Sequence, residues 1–300
     1  MSVWSFDYRP HRRFVAPAQG KPQIWRLCFG IVLGAGLFLV LSQLIFGFLF
    51  RVLPPDTANA ILDDATGQSA ASMLVILLQF GLLAVSAGLV VLMVHIRSPL
   101  TLIGDLSQAW RQFVVVVFAM CLFTAAILLL PPHDYGAPYQ RNMETGRWLI
   151  LLPFAWIAVF IQTSAEEILF RGYIQQQLAV RFKSPLIWML APAMLFGIGH
   201  YTPDSAGSNA WTIVLWATVF GLLMADLTAR SGTLGPAMAV HFVNNISALV
   251  LTSVPDEMSG LALYVLPFGF ADEAQMAAWL PVDFGIVLVS WLVARLAIRA

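Results

Sequence analysis

At 300 residues, the chain is 59% hydrophobic and 11% charged with a net charge of zero, against about 25% charged residues in an ordinary soluble protein. That composition excludes a soluble globular domain, and balanced charge without a long basic run gives no reason to expect nucleic acid as a partner. The apolar runs are continuous and several reach the roughly 18 residues of a membrane helix, so they read as spanning helices rather than the alternating ten-residue strands of a barrel.

Residues 1–24 read as a polar cytoplasmic tail carrying Arg9, His11, Arg12, Arg13 and Lys21. No small-residue cleavage site follows a short apolar core, so no signal peptide is expected. The first predicted helix covers Ile24–Phe50, and a polar loop with Pro54, Pro55, Asp56, Asp63 and Asp64 follows. The second covers Ser72–Ile96 and ends at Arg97-Ser98-Pro99; the third covers Trp110–Leu130 and stops at Pro131-Pro132. After a loop at 133–147 comes an unusually long fourth helix, Trp148–Lys183, with Pro153 near its start and a possible break at Thr163-Ser164-Ala165. The fifth covers Pro185–His200, the sixth Trp211–Arg230 and the seventh Leu234–Leu251. The run Leu261–Phe270 contains Pro267 and is too short to span, which suggests an interfacial segment; the eighth helix covers Val282–Ile298. Cys28 and Cys121 lie in apolar runs and read as packing residues rather than a disulfide.

The expectation is an all-α polytopic membrane protein of about eight helices. It divides into a tail at 1–24, membrane helices at 25–147, a core at 148–252, and an interfacial segment with a last helix at 253–300. Lys and Arg gather in the tail, the 2–3, 4–5 and 6–7 connections and the C-terminus, which places both termini in the cytoplasm. Arg141 and Arg147 depart from that pattern.

The ionisable residues at membrane depth are Glu166, Glu167, Arg171, His200, Asp226 and His241, with the amides Asn244 and Asn245 beside them. A charge at the bilayer centre costs about 2.5–3.5 kcal/mol on insertion scales, so these are candidates for function. Asp226 stands four residues before Arg230 and reads as an ordinary helical ion pair. Glu167 stands four before Arg171 and reads the same way, while Glu166 has no local partner. Neighbouring helical positions diverge by about 100°, so the two glutamates are not expected to face one site. Folded as a hairpin about Ser184, helices four and five bring His200 level with Glu166, and Phe196 one turn below reads as packing. His241 and Asn245 share a face of helix seven, although spacing alone does not choose between Asn244 and Asn245. By helical rise, His241 sits only about 10 Å from its turn against about 22 Å for His200, so the levels match only if helix seven starts deeper. A glutamate, two histidines and an amide supply a base for water and donors for a developing oxyanion.

At those residues the chain resembles a known family. Glu166-Glu-Ile-Leu-Phe-Arg171, Phe196-Gly-Ile-Gly-His200 and His241-Phe-Val-Asn-Asn245 look like the EExxxR, FxxxH and HxxxN motifs of the type II CAAX prenyl endopeptidases and their bacterial relatives, the CPBP or ABI family of intramembrane proteases. Each motif is short; the three in order, each on a membrane helix, are specific. The resemblance covers about 148–252. It implies an intramembrane endopeptidase in which Glu166 activates water, His200 works beside it, His241 and Asn245 stabilise the oxyanion, and Glu167 and Arg171 support them. It also favours Asn245 over Asn244. A metal-free glutamate mechanism is expected; Glu166, His200 and His241 are the set that would hold zinc were the site a metal centre. The expected partners are the lipid bilayer and a peptide or protein substrate at the membrane, lipidated or not. The expected place is a bacterial inner membrane. A non-catalytic immunity or scaffold protein is the alternative, distinguished by protection that survives Glu166→Ala. A proton-relay transporter would show proton-coupled uptake.

Overall fold

A computed structural model describes residues 8–129 and 138–299. The predicted stop at Pro131-Pro132 falls outside them. The helices in chain order are α1 (Arg9–Val15), α2 (Ile24–Val52), α3 (Pro55–Asp63), α4 (Ala70–Val94), α5 (Leu106–Leu129), α6 (Thr145–Glu167), α7 (Gln176–Arg181), α8 (Ala191–Ile198), α9 (Pro203–Ala206), α10 (Ala210–Ser231), α11 (Gly235–Ile246) and α12 (Glu273–Ala297). Among the described residues, six continuous helical stretches are long and apolar enough to cross a membrane: α2, α4, α5, Thr145–Arg181, Pro203–Ser231 and α12. Leu186–Ile198 and Gly235–Leu251 are shorter apolar helices. The chain is thus an all-α, integral membrane protein, with two of the eight expected helices shorter than a full crossing.

The lipid solvent explains the inverted surface. α2 and α5 turn apolar side chains outward, with Val32, Leu39, Phe48, Phe118 and Leu129 among the exposed residues. Cys28 and Cys121 are on this outer surface as free thiols, not packed inside as their apolar surroundings suggested. Apolar neighbours in a membrane sequence do not distinguish the lipid face from the core. Small residues mark the core instead: Ala158, Ala165, Ala217, Ala229, Ala237 and Ala239 are all buried, letting α6, α10 and α11 approach closely.

Two elements depart from the expected loops. α1 lies in the supposed polar tail and docks through His11, Phe14 and Val15. His11 stacks on Trp188 at 4.5 Å between ring centroids, and burial pushes its imidazole down to about 4, so it docks neutral. α3 occupies the expected acidic loop. The run around Leu261–Phe270 folds into a small sheet rather than a span: β1 (Gln140–Arg141) is antiparallel to β3 (Tyr264–Val265), which is parallel to β2 (Thr252–Ser253). Trp148 Nε1 ties the helical turn just before β2 to the start of α6 by donating to Val250 O at 3.0 Å.

The α10–α11 turn fixes the depth of the site. Gly232 caps α10 in the left-handed region (φ 73°), a conformation glycine adopts without steric cost. Thr233 and Leu234 are fully buried, and Leu234 N donates to Ile103 O at 3.0 Å. α11 therefore begins inside the protein. Its first residue, Gly235, lies against the α5 backbone; a Cβ there would stand 2.1 Å from Ala109 O. Gly235→Ala should force α11 off α5 and cost about 1–3 kcal/mol, read as a lower Tm in detergent.

Candidate active site

α6 and α11 pack antiparallel and carry the site between them. Glu166 and Glu167 end α6, and the helix widens at once into a π-helical stretch, Ile168–Gln175, before α7. The expected break at Thr163-Ser164-Ala165 is absent: those residues remain α-helical. Such wide turns admit one extra residue per turn and recur at functional sites.

Glu167 Oε1 accepts from Arg171 Nη1 at 2.9 Å, the expected pair, with both side chains fully enclosed. Arg171 Nη2 also donates to Gly221 O on α10 at 3.2 Å, and its guanidinium sits 4.9 Å from the centre of the Phe196 ring. The same Glu167 Oε1 is 2.9 Å from His241 Nδ1. On the far edge of that imidazole, Nε2 lies 3.4 Å from Glu166 Oε2. The two glutamates thus converge on one side chain, contrary to the divergence expected from helical angles. The reason is the interposed ring: its two nitrogens lie on different edges, so carboxylates leaving α6 in different directions reach one each.

This also answers the depth question. His241 lies six residues beyond Gly235, about 9 Å along the helix, and because α11 starts inside, that rise brings it level with Glu166. His241 is held laterally by Phe220 (4.9 Å, edge-on) and Phe196 (6.1 Å, edge-on).

His200 stands just past the end of α8 and is half-buried. Its Nδ1 is 2.9 Å from Phe196 O, and its ring packs on Phe196 at 4.5 Å. No hydrogen bond or ion pair joins it to Glu166 among the described residues; Phe196 links it to the His241 side. Phe196 therefore contacts both histidines and Arg171, more than the packing role expected. Asn245 Nδ2 donates to Gln162 Oε1 at 2.9 Å, and Asn245 Oδ1 accepts from Asn244 Nδ2 at 3.3 Å. Gln162 escaped the sequence reading. Its signal was an amide one turn before Glu166 at the end of an apolar run.

Asp226 forms its expected pair with Arg230 at 2.7 Å. It also accepts from Tyr8 Oη (2.8 Å) and Trp291 Nε1 (2.9 Å), so it joins α1, α10 and α12 away from the site.

The electrostatics are those of a closed group. Glu167 and Arg171 cancel. His241 stands between the Glu166 carboxylate and the Glu167–Arg171 ion pair, so all four ionisable side chains lie in one buried contact group. Glu166 Oε2 is buried and accepts no hydrogen bond among the described residues. Among the described residues no group of three or more His, Cys, Asp or Glu side chains is placed to hold a metal ion.

Residues 147–247 match the family described as Type II CAAX prenyl endopeptidase Rce1-like. Over 242 residues the chain is 28% identical to the uncharacterized protein YyaK of Bacillus subtilis (strain 168), covering 78% of this chain and 79% of that one. No solved structure matches. All three motifs and every contact of the Glu166–His241 group lie within the matched residues, and it is there that this chain is similar to the Rce1-like, type II CAAX prenyl endopeptidase family.

Proposed function

We propose that this protein is an intramembrane endopeptidase that hydrolyses a peptide bond of a membrane-associated protein or peptide. The observation that carries the reading is the contact of Glu166 with His241, itself held from behind by Glu167 and Arg171. Glu166 takes a proton from water, and the resulting hydroxide attacks the scissile carbonyl. With Nε2 as its N–H, His241 donates to the developing oxyanion, Asn245 adds a second donor, and the proton that Glu166 took from water passes to the leaving amine. His200, at the half-buried rim, assists at the water. No step is routed through a metal. The positive residues of the N-terminal segment, the helix connections and the C-terminus support the reading that both ends are cytoplasmic, and a bacterial inner membrane is the proposed location.

The test uses the whole protein in lipid nanodiscs with an internally quenched, prenylated CAAX-type peptide. Wild type should cleave it, chelators should leave the rate unchanged, and Glu166→Ala and His200→Ala should abolish or severely reduce it. Undiminished cleavage by a folded Glu166→Ala protein would sink the assignment, and immunity or scaffolding without hydrolysis would then be the reading to pursue.

A further inference from the structure

Two contacts cross the α6–α11 interface in one antiparallel register. Glu166 meets His241; four residues back on α6, Gln162 meets Asn245, four residues on along α11. Residues four apart share a helix face, so the two contacts stack one turn apart. Gln162 is 6% exposed, sealed in the same interface.

We propose that Gln162 is a positioning residue that holds the Asn245 amide in the orientation the reaction needs; this rests on the endopeptidase reading above. A primary amide offers two N–H donors and one oxygen. Asn245 Oδ1 accepts from Asn244, and one Nδ2–H goes to Gln162 Oε1. Those two bonds fix which end of the amide is nitrogen and in which plane it lies. One N–H is left over, on the helix face that carries His241 one turn away. Without the Gln162 acceptor the amide turns about its last torsion, and an oxyanion donor that must find its angle anew in each turnover loses preorganisation. Simple helix gluing differs in its consequences: interhelical hydrogen bonds in membranes contribute little to stability.

The experiment measures kcat and KM for the prenylated CAAX-type peptide in nanodiscs, with Tm alongside. Removing an oxyanion donor outright costs about 10²–10³ in kcat, so Asn245→Ala sets the floor. Gln162→Leu, of similar volume but without an acceptor, should lower kcat by about tenfold or more, within that limit, with KM within about twofold and Tm within a few degrees. Gln162→Met is the second variant should leucine not fold. Gln162→Glu keeps an acceptor oxygen in either protonation state and should retain most of the rate. Gln162→Leu combined with Asn245→Ala should be no slower than Asn245→Ala alone, because both act through one group. The inference is overturned by a wild-type kcat in both Gln162→Leu and Gln162→Met, by Gln162→Glu falling as far as Gln162→Leu, or by losses that simply multiply. Full activity of Gln162→Leu beside an inactive Glu166→Ala sinks this inference and leaves the endopeptidase reading standing. Full activity of Glu166→Ala, or no cleavage by wild type, sinks both.

Discussion

Glu167→Ala is expected to lower stability by about 3–5 kcal/mol, the cost of stranding one member of a buried ion pair. Arg171 is 1% exposed and Glu167 is fully enclosed, so no solvent can take over the carboxylate's part. The same deletion removes the acceptor from His241 Nδ1. The imidazole then loses what holds its tautomer and its plane, and cleavage should fall even under conditions where the variant remains folded. Its neighbour should behave in the opposite way. Glu166 Oε2 accepts no hydrogen bond among the described residues, so Glu166→Gln should keep a Tm close to wild type while losing about 10²–10⁴ in rate, the usual range for removing a general base. Thermal unfolding and peptide cleavage measured on both variants separate the roles. Equal Tm losses, or a stable Glu167→Ala, would show that the pair is not divided between support and chemistry as argued.

Asp226→Ala should cost a similar amount, about 3–5 kcal/mol, by a different route. Its carboxylate accepts from Arg230 Nε, Tyr8 Oη and Trp291 Nε1, which come from α10, the start of α1 and α12. Burial and the adjacent Asp226 charge push the Tyr8 phenol well above its ordinary range, so it remains a donor at all ordinary pH. Loss of the carboxylate should therefore loosen α1 as well as lower Tm. Limited proteolysis at Arg12 and Arg13, both on the exposed side of α1, should accelerate relative to wild type. Replacing Asp226 and Arg230 together with leucines should recover only the part of the loss that comes from the stranded guanidinium, because Tyr8 Oη and Trp291 Nε1 still lose their acceptor. An unchanged cleavage pattern in Asp226→Ala would contradict the clamp.

The long helices were legible because lipid imposes one strong rule: apolar runs must be helical to satisfy their own backbone. The candidate residues could be singled out too, because ionisable residues are rare at depth. What the sequence left open depends on partners distant in the chain. α1 is seven residues long with three arginines, and it becomes a helix against Trp188, Gln175 and the α10–α11 turn, none of which lies near it in sequence. The convergence of Glu166 and Glu167 was invisible for the same reason: helical angles describe α6 alone, and the ring that gathers both comes from α11. Gln162 was hidden by its ordinariness, since its meaning lies wholly in Asn245 opposite.

The order of synthesis gives the Glu166–Glu167–Arg171–His241 group a consequence for biogenesis. Residues 162–175, at the end of α6 and in the π-helical stretch after it, hold two acids, Glu166 and Glu167, and one base, Arg171, and are synthesised well before α11. Alone in the bilayer, fully ionised, that segment carries one uncompensated negative charge, at about 2.5–3.5 kcal/mol on insertion scales. Docking of α11 sets the His241 imidazole against both carboxylates, 3.4 Å from Glu166 and 2.9 Å from Glu167, so the helix that completes the site also supplies the partner the earlier one lacks.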